Sequence, residues 1–319
     1  MRNFKLQTGS CPVYTISKDE FETQTRKHDL YYRLNSNGEP VQYAVCPGCD
    51  NPIRLIGLYK KLQNTDRPYG KHHMRDVEDL AAYNQQAYTY CPYASHRLHV
   101  TPEDRKVSVT GFEKAIYELM RNQFDRVVYI WSKQIDIKIT SGIAEKRLTE
   151  YVASEGWLYP WATLNNLPWM YGYLTGVARS LYNQLIRKDS PLYEAILRSC
   201  PEAEFIPSEY FDDYERLRNK PGFYLDVKYC ILNHKRQIVD DVIVETVEMI
   251  VWRKKTGADF IKSTQEGVDT DDVFYRKKLE IDEKYFLNLV NMPQEKAQRN
   301  TYLLEAAQRI MPPLQQAGN

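Results

Sequence analysis

Apolar residues recur at two periods along this chain, and the switches between them predict its elements. At the front, Ser17 followed by Glu20 resembles a capping box and predicts a short helix over 18–26. Residues 29–34 read as a strand, Asn35-Ser-Asn-Gly38 as a hairpin-type turn, and 41–45 and 53–59 as two further strands. From about residue 110 the spacing is helical. Thr110 can cap a helix over 111–123 with Phe112, Ile116, Leu119 and Met120 on one face. Residues 127–139 fit helix or strand. Ser141 can cap a helix over 143–154, with Leu148, Tyr151 and Val152 inward. Asn166 before Leu167-Pro168 marks a helix running to about residue 187, apolar nearly all round at its start and therefore expected at the centre of the core. Ser190-Pro191 opens a shorter helix ending near 199.

Residues 200–221, with Pro201, Pro207 and Pro221, read as an irregular boundary. Beyond it the period is two. Strands are expected over 223–232, 242–253 and 272–281, with a turn at 233–236 and a polar loop over 256–270. Helices over 283–290 and 294–311 close the chain, the last with Leu303, Leu304, Ala307 and Ile310 as its apolar stripe. The pattern predicts an α+β fold in three parts: a zinc-ribbon-like module over 1–100, a helical region over 101–200, and an antiparallel sheet with terminal helices over 201–319.

Composition narrows the function classes. With 319 residues and 43% hydrophobic content the chain can bury a large core. Its formal net charge of +1 makes any nucleic-acid surface a local patch. Tyrosine, at 25 residues against 10 phenylalanines, suits half-buried strand faces and interfaces. The first residues lack the apolar stretch of a secretory signal, and no run of about 18 apolar residues occurs. Cys11, Cys200 and Cys230 are widely spaced and suggest no disulfide framework. These features predict a cytoplasmic protein of a reducing compartment, with no membrane contact and an oligomeric state left open. P-loop, dinucleotide-glycine, G-x-S-x-G and kinase signatures are absent.

The stretch 43–97 names a chemistry. Cys46-Pro-Gly-Cys49 lies between two predicted strands, Cys91 opens C-P-Y-A, and three histidines lie near them. Three thiolates and one imidazole form a closed tetrahedral shell for structural Zn2+. A tight turn brings two sulfurs to one point: Pro47 fixes its φ, and Gly48 tolerates a positive one. A redox pair is the alternative for C-x-x-C, but such a pair usually opens a helix, whereas a strand follows here. Buried free cysteines with surface histidines are the plain alternative. The ligand set favoured is Cys46, Cys49, His72 and Cys91, with a flexible turn over 69–71 presenting His72. His73 and His96 are the rivals for the fourth position. A helix over 76–88 would return the chain to Cys91.

This block resembles a group of uncharacterised bacterial proteins with C-P-G-C, Y-G-K-H and C-P-Y-A, here at 46–49, 69–72 and 91–94. More distantly it is similar to the zinc-binding amino-terminal part of CoiA-type competence proteins. The gap between C-x-x-C and histidine is longer here, and the second knuckle is an addition. The likeness covers about one sixth of the chain. It implies a bacterial setting linked to DNA or mobile elements, and it transfers no catalytic residue.

The second half offers weaker chemistry. Asp226-Val-Lys228 has the D-x-K form of metal-dependent nucleases, with Glu209, Asp212 and Asp213 as possible further acids. Asp226 and Lys228 read first as the polar side of a strand that alternates with Leu225, Val227, Tyr229 and Ile231. Lys235, Arg236, Arg253, Lys254, Arg276 and Lys277, interleaved with Trp252, Phe274 and Tyr275, could form a sheet face for DNA or RNA. Lysine protection of an edge strand is the plain alternative. Trp157, Trp161 and Trp169 read as core rather than as a ligand pocket. A protein partner in place of nucleic acid is the second functional class these features allow.

Overall fold

The computed structural model describes residues 1–9, 12–60, 62–63, 67–94, 104–106, 109, 111–239, 242–254, 271–290, 292 and 298–314. Cys11, His96, the Thr110 cap and the loop over 256–270 lie outside them. The described elements mix helices with antiparallel strands, an α+β architecture.

At the front, β1 (Asn3–Phe4) pairs with β2 (Tyr14–Thr15). Helix α1 (Lys18–Thr25) begins where Ser17 Oγ accepts a hydrogen bond from the Glu20 amide at 3.1 Å, and ends at left-handed Arg26. Strands β3 (Tyr32–Leu34), β4 (Pro40–Val45), β5 (Pro52–Ile56) and β6 (Tyr69–His72) form an antiparallel sheet in that order. The Asn35 carboxamide, accepting from the Asn37 and Glu39 amides, and Gly38 at φ 75° make the β3–β4 hairpin.

Two expectations change here. Residues 69–71 are not a flexible turn but the edge strand β6, with His72 opposite Ile53. The helix over 76–88 shrinks to α2 (Gln85–Thr89). Val77 and Ala81 form a tight bridge around left-handed Asp79. Asp76 accepts from the Tyr83 amide at 2.7 Å, so its side chain stabilises this loop instead of capping a helix.

Helix α3 (Gly111–Ile135) is the central helix, with Trp131 fully buried and a kink at Gln123 (φ −128°, ψ 19°). It takes in most of the ambiguous stretch. Asp136, at φ 59°, then turns the chain into β7 (Ile137–Lys138). In α4 (Ser141–Ala153) Ser141 is the first helical residue rather than the cap. Helix α5 (Leu167–Leu174) is buried over its first six residues but stops far short of residue 187. A Cβ on Gly176 would come within 2.6 Å of the Tyr173 carbonyl and 2.8 Å of the Ile231 carbonyl, so the chain turns under the neighbouring strand. Residues beyond it pair as β8 (Arg179–Ser180) and β9 (Leu185–Arg187), and strand pairing overrides the helical spacing. Helix α6 (Pro191–Ser199) starts at Ser190-Pro191 as expected, and there Ser190 Oγ accepts a hydrogen bond from the Tyr193 amide.

Residues 200–221 are not irregular. They hold β10 (Ala203–Pro207) and β11 (Tyr214–Asn219), in a sheet of order β10-β11-β9-β7. A third sheet has the order β14-β13-β12-β8, built from β12 (Val227–Val239), β13 (Val242–Lys254) and β14 (Asp271–Glu280). The predicted turn at 233–236 lies inside β12. There a register shift between Leu232 and Lys235, with Asn233 at φ 56°, forms a bulge. Helices α7 (Glu283–Val290) and α8 (Thr301–Ile310) close the chain. Leu303, Ala306 and Ala307 of α8 face inward, and α8 packs on α3 and α4. Buried apolar residues from Met1 to Met311 form one continuous core, which includes Trp157, Trp161 and Trp169. Among the described residues, no helix is long and apolar enough to cross a membrane.

Candidate metal centre

Val45 of β4 pairs with Pro52 of β5, leaving residues 46–51 as the hairpin loop. The Cys46 amide donates to the Asn51 carbonyl at 2.8 Å, and the Asp50 amide to the Cys46 carbonyl at 3.1 Å. The positive φ of this turn falls on Asp50 (φ 60°), not on Gly48. Gly48 serves another need. A Cβ there would lie 3.0 Å from the Tyr93 ring, 3.2 Å from Pro92 and 3.3 Å from the Cys91 sulfur. A bare backbone lets the two knuckles meet.

Four side chains converge where they meet. The donor atoms of Cys46, Cys49, His72 and Cys91 all lie within 4.8 Å of one another, a group able to hold a metal ion. Cys46 Sγ is 3.7 Å from Cys91 Sγ, and His72 Nε2 is 3.3 Å from Cys49 Sγ and 3.6 Å from Cys91 Sγ. Around one tetrahedral centre with metal–sulfur bonds of about 2.3 Å and a metal–nitrogen bond of about 2.0 Å, sulfurs sit about 3.8 Å apart and sulfur and nitrogen about 3.5 Å. The residues therefore fit a single ion. The distances also exclude a Cys46–Cys91 disulfide, whose sulfurs would be about 2.05 Å apart. His73, the neighbouring candidate, turns away and packs edge-on against Tyr43 at 5.3 Å.

Electrostatics point the same way. Burial, and then the adjoining thiols, pushes Cys46 well up. Burial likewise raises Cys91. Hydrogen bonds from Cys46 and Cys91, and then from His72, hold Cys49 low. Buried thiols this close oppose one another's ionisation, and a divalent cation among them would let all three ionise.

An outer layer positions these ligands. Buried Asn51 donates to Cys49 Sγ at 3.3 Å and to the Asn84 carbonyl at 3.0 Å, and accepts from the Asn84 amide at 2.6 Å. Asn84 in turn caps α2, whose end delivers Cys91. One asparagine thus couples the first knuckle to the approach of the second. The Tyr93 amide donates to Cys91 Sγ at 3.4 Å, and the Tyr88 ring meets His72 edge-on at 4.9 Å.

The second knuckle is also tied to the β12–β13 hairpin. Arg236 donates to the Pro92 carbonyl. Its Nε lies 2.7 Å from Glu245 Oε1, and both side chains are almost fully buried. Glu245 Oε2 accepts from Asn166 Nδ2 at 2.9 Å and lies 3.5 Å from His234 Nε2. Tyr159, Trp161 and Tyr173 surround the His234 ring. Burial would raise the Glu245 carboxyl, but Arg236 and then His234 and Asn166 outweigh it and hold it down to about 2.

Alternation along β12 does not disclose this cluster. Val227, Tyr229 and Ile231 face inward before the bulge, and His234 and Arg236 after it, because the extra residue reverses the parity. Arg236, expected on a nucleic-acid surface, is therefore a core residue. The other cations of that expected face are largely engaged. Arg253 faces Asp272 at 3.5 Å and Glu202 at 3.8 Å, Arg276 faces Glu248 at 3.2 Å, and Lys277 faces Asp136 at 2.7 Å. Lys235 and Lys254 remain exposed. Asp226 lies 3.4 Å from Lys228. Among the described residues, Asp226, Glu209, Asp212 and Asp213 join no group of potential metal ligands.

Comparison with protein-family models, curated proteins and solved structures finds no match to this chain.

Proposed function

We propose that this protein is an accessory protein of a bacterial cytoplasm, held together by structural Zn2+, that binds nucleic acid or a nucleic-acid-processing partner. One observation carries the proposal: three sulfurs and one imidazole close a four-ligand shell at the junction of two knuckles and a buried ion pair. Four protein ligands leave no position for a reacting water, so the ion staples and does not catalyse. Thiolate-rich tetrahedral sites select zinc among the common divalent ions. The hairpin knuckle and its returning partner support a zinc-ribbon-like module, and the thiolates need a reducing compartment. The resemblance of the block to CoiA-type proteins supports the nucleic-acid setting. A nuclease centred on Asp226 and Lys228 gains no support from carboxylates gathered around them.

Elemental analysis tests the staple. Wild-type protein is expected to carry one zinc per chain and Cys49→Ser much less; equal metal in both, or none in either, removes the basis of the proposal. Binding to a mixed DNA and RNA panel tests the rest, since a protein contacting several phosphates must lose affinity steeply with salt. Tight, salt-insensitive capture of a protein without nucleic-acid binding would favour the adaptor reading instead.

A further inference from the structure

The sheet of order β10-β11-β9-β7 has two unlike faces. Directly opposed residues of an antiparallel pair share a face. Phe205 opposes Leu217, and Ile186 opposes Ile137. Leu217, Ile186 and Ile137 are fully buried, and Phe205 stacks on Tyr193 of α6 at 4.1 Å, so this side belongs to the core. On the other side Arg218 opposes Glu204, Arg216 opposes Ile206 and Leu185, Leu185 opposes Lys138, and Tyr214 opposes Arg187. Four cations from three strands therefore share one face. Their side chains stay half-buried or exposed, while Leu185 between Arg216 and Lys138 is buried. Long basic stems cover apolar surface in this way while their charged ends remain in water.

These cations differ from those of the β12–β14 sheet. Among the described residues, neither Lys138, Arg216 nor Arg218 is in an ion pair with a carboxylate. Arg216 donates to the carbonyl and side-chain oxygens of Asn183 at 3.1 and 3.2 Å. Arg218 donates to Tyr182 Oη at 3.2 Å, with its guanidinium 5.5 Å from the ring centre. Lys138 lies 4.6 Å from the Phe211 ring centre and 6.0 Å from that of Tyr214. Arg187 does meet Asp136 at 2.8 Å, but that carboxylate is shared with Lys277 at 2.7 Å, so positive charge is left over. Glu204 is the acid in register with this face, and exposed Asp212 and Asp213 border it at the Phe211 end.

We propose that the open face of this sheet, centred on Arg216, Arg218 and Tyr182 and extended by Lys138 and Arg187, binds single-stranded nucleic acid. The proposal rests on the nucleic-acid reading above and names the surface that performs it. Three features favour a strand of nucleotides over other polyanions. Arg216 and Arg218 stand two residues apart, about 7 Å along an extended strand, and so form a row rather than a point. Aromatic rings accompany the cations, Tyr182 beside Arg218 and Phe211 and Tyr214 beside Lys138, and base stacking uses rings that an acidic peptide does not need. The guanidiniums are already oriented by Asn183 and Tyr182, which lowers the ordering cost of gripping phosphates.

The test uses the zinc-loaded full chain and labelled oligo-dT and oligo-U of about 20 nucleotides, a length spanning at least one typical single-strand site. Fluorescence anisotropy is followed between about 50 and 200 mM salt. Arg216→Glu/Arg218→Glu is expected to weaken binding at least about 10-fold and to flatten the logarithmic salt slope by about 1.4, the share of two phosphate contacts on a single strand. Tyr182→Ala is expected to weaken it about 5-fold or more, as loss of one stacked base does. Lys235→Glu/Lys254→Glu, on the other sheet, is expected to bind as wild type. Thermal melts check folding, and Arg216→Gln/Arg218→Gln replaces the acidic pair if that pair does not fold.

Wild type binding neither strand overturns this surface, and the nucleic-acid half of the reading it rests on falls as well if duplex DNA and RNA in the mixed panel also fail to bind. Binding that survives the arginine changes but is lost in Lys235→Glu/Lys254→Glu overturns the surface and leaves that reading standing. Equal competition by poly-glutamate, with no effect of Tyr182→Ala, overturns nucleic acid as the occupant in favour of an acidic protein segment.

Discussion

The front sheet and the β12–β13 hairpin meet at Pro92, and each brings buried ionisable groups to that junction by a different route. On the front side the groups are three thiols and an imidazole placed to hold one ion. On the other side a guanidinium and a carboxylate balance each other, with the His234 imidazole beside the carboxylate. The front cluster draws its ligands from 46 residues of chain, Cys46 to Cys91, in a region with few long strands. The hairpin cluster sits among large aromatic rings of the continuous core, which Cys46 and Cys91 join at its front end. With the proposed ion bound, the contrast is between a region ordered by metal ligation and one ordered by burial with satisfied charge.

Removing the metal should produce the largest effect. Coordination free energy in structural zinc sites is on the order of 10 kcal/mol, and most of it is folding free energy. Chelation, or Cys91→Ser, is therefore expected to expose the amides of β4 to β6 and α2 to rapid hydrogen exchange, while β12 and β13 stay protected. Simultaneous loss of protection in both regions would show one cooperative unit and erase the proposed contrast.

This division also explains what the sequence discloses. The C-P-G-C hairpin, Cys91 and His72 are legible because metal ligation needs particular atoms at short spacing, and those residue types are rare. The strands flanking the knuckle, the Ser17 cap and the helix start at Ser190-Pro191 are legible because local chemistry decides them. Arg236 and Glu245 are not. A single bulge at Asn233 reverses which side chains face inward, and nothing in the alternation marks it. Asn51 is hidden for another reason: its partner, Asn84, lies 33 residues away, beyond any local pattern. The overlong helix predictions at 76–88 and 167–187 fail where a loop-forming side chain or strand pairing outcompetes apolar periodicity.

A smaller but still large effect is expected at the buried ion pair. Arg236→Ala leaves Glu245 buried without its main partner and should lower stability by about 3–5 kcal/mol, measured by denaturant melts of zinc-loaded protein. Glu245→Gln tests the same pair through pH. The carboxyl lies at about 2 in the folded chain against an ordinary 4.5. A depressed carboxyl contributes its full stability above the unfolded value and loses it as pH falls through the folded one. The stability gap between wild type and Glu245→Gln should thus be constant above about pH 5 and shrink by up to about 3 kcal/mol as the pH approaches 2. Acid release of metal affects both proteins and cancels in the difference. A gap that does not change with pH would mean that Glu245 contributes packing and not charge.

The smallest effect sharpens the comparison because it lies in the front region yet away from the metal. Ser17 Oγ accepts from the Glu20 amide, but Glu20 Oε1 bonds Gln24 at 3.0 Å, so that oxygen is turned toward the helix body. Removing the cap with Ser17→Ala should cost about 1 kcal/mol. Phe21 of the same helix is fully buried, with its ring 6.1 Å from that of Phe4, so the helix has packing to hold it once the cap is gone. Ser17→Ala should therefore keep a full complement of zinc and shift the melting temperature of the zinc-loaded protein by a few degrees. If zinc content falls along with the melting temperature, α1 is part of the metal-organised unit and the boundary between the two regions moves forward to include it. If zinc is retained, the metal governs the knuckles and their sheet, and the helix ahead of them stands on its own cap and core contact.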